Sequence, residues 1–182
     1  MQTPQIIVIT GLMAAGKSSV AQALAERMTK SIHLRGDIFR KMIVNGRHEM
    51  SPHSSSEAVA QLKLRYRQAC NVAVAYARDG FDVVYQDVIL GEHLLDVCAM
   101  LDRWNPGIVV LNPNLAVVAQ RDLERYKTAY TGRWTPAALA DALEETPRLG
   151  LWLDTSAMSV SETVDFILGH PVLTRQGLPA PE

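Results

Sequence analysis

Cysteine is scarce: Cys70 and Cys98 are the whole complement, and they form no CxxC pair. A disulfide framework is therefore not expected, and a reducing cytosol fits better. Long apolar runs are missing too. No stretch approaches ~18 consecutive apolar residues, so no transmembrane helix is expected. The first ten residues, MQTPQIIVIT, lack a charged n-region, and their apolar run is too short for a signal peptide. The five histidines show no metal-ligand spacing. Neither sign of charge dominates: 18 basic side chains face 19 acidic ones, for a formal net charge of -1. Such a balance leaves no basic footprint for a long nucleic-acid partner. Internal repeats, low-complexity segments and linkers are absent, so the 182 residues read as one cytoplasmic domain with an ordinary core. These absences also weaken an adhesion reading of the tripeptide Arg35-Gly36-Asp37.

Apolar runs alternate with amphipathic stretches along the whole chain. Short β-branched or apolar runs at 6–9, 31–34, within 81–90, at 107–113 and at 149–156 read as five strands. Between them, helical spacing predicts a helix from Lys17, one carrying Ile38, Met42 and Ile43, and others over 57–78, 94–104, 114–130, 135–146 and 159–168. Ser55 or Ser56 is a candidate cap for the third of these, and Thr135-Pro136 is a start signal. The polar segment 45–56 reads as a mobile loop. Strands alternating with helices imply crossover units and a parallel sheet.

The most specific motif is Gly11-Leu-Met-Ala-Ala-Gly16-Lys17-Ser18, which fits G-x-x-x-x-G-K-[ST] and has a strand before it and a helix after it. The glycines let successive backbone N–H groups turn toward one phosphate chain, and the helix adds its positive N-terminus. The cradle residues are thus Gly11, Met13, Ala14, Ala15, Gly16, Lys17, Ser18 and Ser19. Lys17 supplies charge for the β- and γ-phosphates, and the Ser18 hydroxyl suits Mg²⁺, a hard cation that prefers oxygen. The expected fold is an α/β P-loop NTPase three-layer sandwich: a five-stranded parallel sheet flanked by helices, with a lid. ATP and Mg²⁺ are the expected cofactors.

In such a sheet the site lies beyond the carboxyl ends of the strands. Asp37 stands there, where a carboxylate would orient an acceptor hydroxyl and take its proton. Arg40, three residues on, shares its helix face, and the segment 37–67 is the expected acceptor side. Asp87, at the end of VVYQD, is a candidate for holding Mg²⁺ through water or for touching the acceptor.

The loop GLMAAGKSS followed by Asp37-x-x-Arg40 after the second strand resembles the small P-loop kinases, among them gluconate, adenylyl-sulfate and shikimate kinases and, most of all, the chloramphenicol phosphotransferases. The resemblance runs over roughly residues 5–169, and in that group the Asp after strand two acts as general base. The Arg at position 40 departs from the chloramphenicol phosphotransferase pattern and is more like adenylyl-sulfate kinases, which leaves the acceptor open. The same resemblance implies a lid over about 121–134, in which Arg121 and Arg125, at i and i+4, neutralise the moving phosphoryl group. Arg133 falls in the same stretch and could equally close on the nucleotide or sit in a loop. Thr155 and Ser156 fall where such kinases approach the adenine.

The reading is an ATP-dependent phosphotransferase acting on a hydroxyl of a small molecule, either an antibiotic or a sugar-like metabolite. Two rivals stay open: a nucleoside or nucleotide kinase, and a nucleotide-hydrolysing switch with no small-molecule acceptor. His48, His53, Tyr66, Arg67 and Tyr130 are weaker acceptor-contact candidates, and Trp104, Trp134 and Trp152 read as packing residues.

Overall fold

In the computed structural model, which describes residues 4–124 and 135–171, the run Ile6-Ile7-Val8-Ile9 lies at the centre of a five-stranded sheet. Strand β1 (Ile6–Gly11) is buried along its whole length. It pairs with β3 (Asp82–Gln86) on one side and β4 (Gly107–Leu111) on the other. Outside these lie β2 (Ser31–Arg35) and β5 (Leu151–Leu153), giving the order β2-β3-β1-β4-β5. Every pairing is parallel. Helices cover a parallel sheet, so its inner strands need apolar side chains on both faces. The continuous runs IIVI and GIVVL meet that need.

Helix α1 (Lys17–Glu26) follows β1 and packs on β3 and on α7 (Val160–Gly169). The short α2 (Asp37–Lys41) follows β2. Helix α3 (Ser56–Arg78) is capped by Ser55, whose side chain accepts from the Ala58 N–H. Its inner face carries Ala69, Cys70, Ala73 and Ala77, all buried, and such small side chains let the helix lie close to β3. Burial pushes the Cys70 thiol up to about 12, so it packs as an inert core group. Helices α4 (His93–Met100), α5 (Leu115–Leu123) and α6 (Pro136–Glu144) complete the set, with Thr135 capping α6. Trp104 and Trp152 pack against the core, while Trp134 lies outside the described residues.

Three expectations change. The helix expected over 94–104 ends at Met100; a 3₁₀ turn, Asp102–Trp104, follows, and Asn105 closes it at φ 45°. The helix expected around Ile38, Met42 and Ile43 stops at Lys41. No residue of α2 is buried; Phe39 packs partly against the core, but Ile38 and Met42 are exposed and give the helix no core to extend along. The loop 45–56, expected to be mobile, is pinned to its neighbours. The Gln61 amide donates to the Gly46 carbonyl (2.7 Å) and accepts from the His48 N–H (2.9 Å), and Glu49 pairs with Arg40 (2.5 Å). Among the described residues no helix is long and apolar enough to cross a membrane.

Candidate active site

The phosphate-binding loop begins where β1 leaves the sheet. Gly11 has φ 139°, and a Cβ there would lie 2.3 Å from the Leu111 carbonyl oxygen, so only glycine lets the chain turn away this close to β4. The loop closes with the Ala15 N–H donating to the Leu12 carbonyl (3.2 Å). Ala14 holds a left-handed φ of 61°, and Gly16, at φ 93°, caps α1. The first turn of α1 carries no acid and no side-chain cap, so no acidic side chain offsets the positive end of the helix at the loop. Lys17 is 8% exposed and donates to the carbonyls of Gly11 (3.0 Å) and Leu12 (2.7 Å). Met13, Ala14, Gly16, Lys17 and Ser18 line a cleft of about 1190 Å³. Ser19 is exposed on the first turn of α1.

Of the RGD segment, Asp37 lines the same cleft. The Gly36 N–H donates to the Gln86 carbonyl (3.0 Å), carrying the β2–β3 ladder one step beyond the strand. Gly36 is buried against Asp87: a Cβ would lie 1.9 Å from a carboxylate oxygen. Asp37 then opens α2 into the cleft. Its carboxylate accepts from Arg40 Nε (2.9 Å), pairs with Lys41 Nζ (2.5 Å) and lies 3.9 Å from Arg65 Nη1. Burial alone would raise its pKa, but the hydrogen bonds and charges of Lys41 and Arg40 outweigh it and hold the group below the ordinary carboxylate value. Arg40 is held in turn by Asp37 and by Glu49 from the pinned loop.

Asp87 is 2% exposed. Arg65, from α3, grips both its oxygens, with Nε on Oδ2 at 2.7 Å and Nη2 on Oδ1. The Val88 N–H (2.7 Å) and the Tyr85 hydroxyl (3.4 Å) also donate to it. Both its oxygens are thus engaged by the chain itself. The side chain beside Ser18 is Gln86, whose amide oxygen accepts from the Ser18 hydroxyl at 3.5 Å. These two neutral oxygens suit a hard cation that keeps most of its own water, so the residues around Ser18 fit Mg²⁺. Thr10 locks the following segment, its hydroxyl donating to the Ile89 carbonyl (2.8 Å) and accepting from the Ile89 N–H (2.9 Å).

Arg121, on α5, touches the loop from the β5 side. Its Nη2 donates to the Thr155 carbonyl (2.9 Å), and its Nη1 lies 3.5 Å from that of Ala15. Thr155 Oγ1 is buried with no hydrogen-bond partner among the described residues. Ser156 is engaged locally, accepting from the Asn114 N–H (2.8 Å) and donating to Asp154. Arg125, Lys127, Tyr130 and Arg133 lie outside the described residues, and with them most of the expected lid. His48 lines the cleft, whereas His53 and Arg67 do not. The Tyr66 hydroxyl donates to the Val88 carbonyl (2.7 Å), and burial pushes its pKa well up, so it braces the wall.

Among the cleft residues that sequence reasoning does not single out are Arg65, Gln86 and Glu49. For Arg65 a signal existed. It is a charged residue falling on the inward stripe of α3 marked by Ala58, Leu62, Tyr66 and Ala69. Gln86 and Glu49 carry no local signature, because their partners arrive from other elements.

With the site assembled, the fold can be compared with solved structures, and the likeness is to a P-loop NTPase-like α/β fold. An adenylyl-sulfate (APS) kinase of Mycobacterium tuberculosis, solved with AMPPNP and APS, superimposes with a TM-score of 0.69 at 19% identity, covering 96% of this chain and 99% of that one. A tunicamycin resistance protein of Deinococcus radiodurans gives 0.66 at 17% identity, over 98% and 99%. A sugar kinase of Janibacter sp. gives 0.64 at 16%, over 91% and 92%. No curated protein sequence matches the chain. The family model AAA_33, described as an AAA domain, matches residues 6–148, from the start of β1 almost to β5, and the chain belongs to that family.

Proposed function

We propose that the protein is an ATP-dependent phosphotransferase that moves the γ-phosphoryl group to a hydroxyl of a small molecule. One observation carries the reading: the phosphate loop and a carboxylate held between cationic side chains, Asp37, open onto a single cleft. A hydrolytic switch has no use for an acceptor chamber built from α2, the 45–56 loop and α3. A nucleoside kinase would use the same machinery with a different acceptor. The fold's solved relatives include proteins named for a sugar, for adenylyl sulfate and for tunicamycin resistance, which supports a small-molecule acceptor, although another belongs to an RNA repair complex.

In this reading the loop N–H groups and Lys17 bind the triphosphate, Lys17 exchanging its loop carbonyls for phosphate oxygens. Bound Mg²⁺ would screen phosphate charge, with Ser18 as its protein ligand. Asp37 accepts a hydrogen bond from the acceptor hydroxyl and aims its oxygen at the γ-phosphorus. As the new O–P bond forms, the bond to the β-bridging oxygen breaks, ADP leaves, and the hydroxyl proton passes to Asp37. Its lowered pKa makes Asp37 a weak base. That suffices for a loose transition state, in which the nucleophile sheds its proton late and positioning matters most. Asp87 and Arg65 hold Asp37 in place, the finer role we assign them in place of metal binding. Arg121, braced on Ala15 and Thr155, and Arg125 stabilise charge on the transferring group.

The test is ADP release with and without a panel of hydroxyl compounds. Stimulation by an acceptor, abolished in Lys17→Ala, is the expected result. Turnover that responds to no acceptor but rises with a protein partner contradicts the proposal.

A further inference from the structure

The phosphotransferase reading leaves the acceptor's chemistry open, and the far half of the cleft bears on it. Beyond the phosphate loop, the described lining contains two cationic side chains, Arg40 and Arg65. Both are already matched by acids. Arg40 directs Nε at Asp37 and Nη1 at Glu49, and Arg65 directs Nε and Nη2 at Asp87. The cations at the rim are engaged too: Lys41 with Asp37 and Arg47 with Glu49 (3.1 Å). Among the described residues, the acceptor half therefore lines its wall with three carboxylates, Asp37, Glu49 and Asp87, and two guanidiniums. An incoming carboxylate, sulfate or phosphate would have to displace an acid anchored to the chain, or remain near it unpaired, and either is costly. His48 and His93 also line the cleft, and an imidazole serves a hydroxyl equally as donor or acceptor.

The rest of that wall is mostly apolar, with Gln61 and Gln68 as its neutral polar members and the Gln61 amide already bonded to the 45–56 loop. Phe39, Met42, Ile43, Met50, Leu62 and Leu139 line it. Met42 is 68% exposed at the cleft. A solvent-facing methionine flanked by aliphatic and aromatic side chains forms a soft surface that moulds to an apolar ligand. A polyol or sugar acid would leave that surface wet.

We infer that the acceptor is a non-anionic alcohol carrying an apolar body, whose hydroxyl meets Asp37 while the body rests on the Phe39–Met42–Met50 wall. The inference rests on the phosphotransferase reading and narrows it.

The experiment uses the full chain with ATP, Mg²⁺ and a library of hydroxyl compounds sorted by charge and by the presence of an aryl or alkyl body, with gluconate and adenylyl sulfate among the anionic members. ADP release is read first, and phosphorylated product is confirmed by mass. Non-anionic compounds with an apolar body should lead the ranking in kcat/KM, by ~10-fold or more over carboxylate analogues of the same scaffold, as expected when like charges meet in a partly buried site. If gluconate, adenylyl sulfate or an unsubstituted polyol leads, the inference falls and the phosphotransferase reading stands. If no class stimulates release, both fall. Glu49→Gln gives a second readout, since it frees one arm of Arg40. It should shift the anionic-to-neutral kcat/KM ratio toward anions by several-fold, and an unmoved ratio overturns the charge argument.

Discussion

Replacing Gly36 with alanine puts the site's packing under a sharp test. Gly36 has φ -61°, so the backbone itself accepts alanine without strain. The whole effect must come from the new methyl group. It would start 1.9 Å from Asp87 Oδ2, 2.6 Å from its Cγ and 3.1 Å from its Cβ. Ordinary carbon contacts need ~3.5 Å, so the carboxylate would have to retreat by about 1.5 Å. It has nowhere to go, because Arg65, the Val88 N–H and the Tyr85 hydroxyl all hold it. Overpacking costs about 1–3 kcal/mol, and loosening a buried ion pair adds part of the 3–5 kcal/mol that breaking one costs. The expected loss is about 3 kcal/mol, or a Tm drop of roughly 6–12 °C at this chain length. Urea unfolding with a two-state fit measures it. Adding Asp87→Ala removes the atoms in conflict, so that second substitution should cost far less in the Gly36→Ala background than in the parent. A Gly36→Ala protein within about 0.5 kcal/mol of the parent, the usual range for a harmless substitution, would refute the packing argument.

Other outcomes follow from the same geometry. Arg65→Ala strands the Asp87 carboxylate in a buried setting and should cost about 3–5 kcal/mol, with Asp87→Asn recovering part of it; denaturant titration of the single and double variants checks this. Burial, with the Arg35 charge, lowers His33 from 6.5 to about 4. Between those values the unfolded chain binds a proton that the folded chain refuses, so stability falls as pH drops from 6.5 to 4. Allowing for the ring's partial exposure, the loss is about 1–2 kcal/mol, and His33→Gln should flatten it in urea midpoints measured across that range. Ser159 and Glu162 form a reciprocal capping box on α7, so Ser159→Ala should lose about 1 kcal/mol and lower Tm without changing catalysis. The lowered Asp37 pKa keeps that group ionised above its ordinary value of 3.8. Its contribution is present above that pH and is lost only as pH falls through the still lower folded value, so pH–rate profiles should show no acid limb from Asp37 near neutrality.

The parts of the site legible in the sequence are those whose signals are local. The phosphate loop is one contiguous motif between a buried strand and a helix, so spacing alone places Gly11 to Ser18. Asp37 is legible because it directly follows a strand whose end must lie at the sheet's ligand edge. Asp87 shows the limit. Its position at a strand end marks it as important, but its partner, Arg65, lies 22 residues away on another element, and spacing cannot say that a guanidinium holds its oxygens. The apolar spacing of Ile38, Met42 and Ile43 misleads about helix length because Met42 and Ile43 line a cleft instead of a core. The pinned 45–56 loop was illegible for a related reason. Its polar composition suggests mobility, yet Gln61 and Arg40 supply the missing partners from outside the segment. Strand order is set by pairings between distant segments and leaves no local trace.

The central claim is that Asp37 orients the acceptor hydroxyl for phosphoryl transfer. Asp37→Asn tests it most directly, with nucleotide affinity and single-turnover transfer measured on the same preparation. The pair partners Arg40 and Lys41 are partly exposed, so the fold should lose less than about 1 kcal/mol. The account predicts unchanged nucleotide binding and a fall in transfer of ~10²-fold or more. Transfer at the parental rate would contradict it.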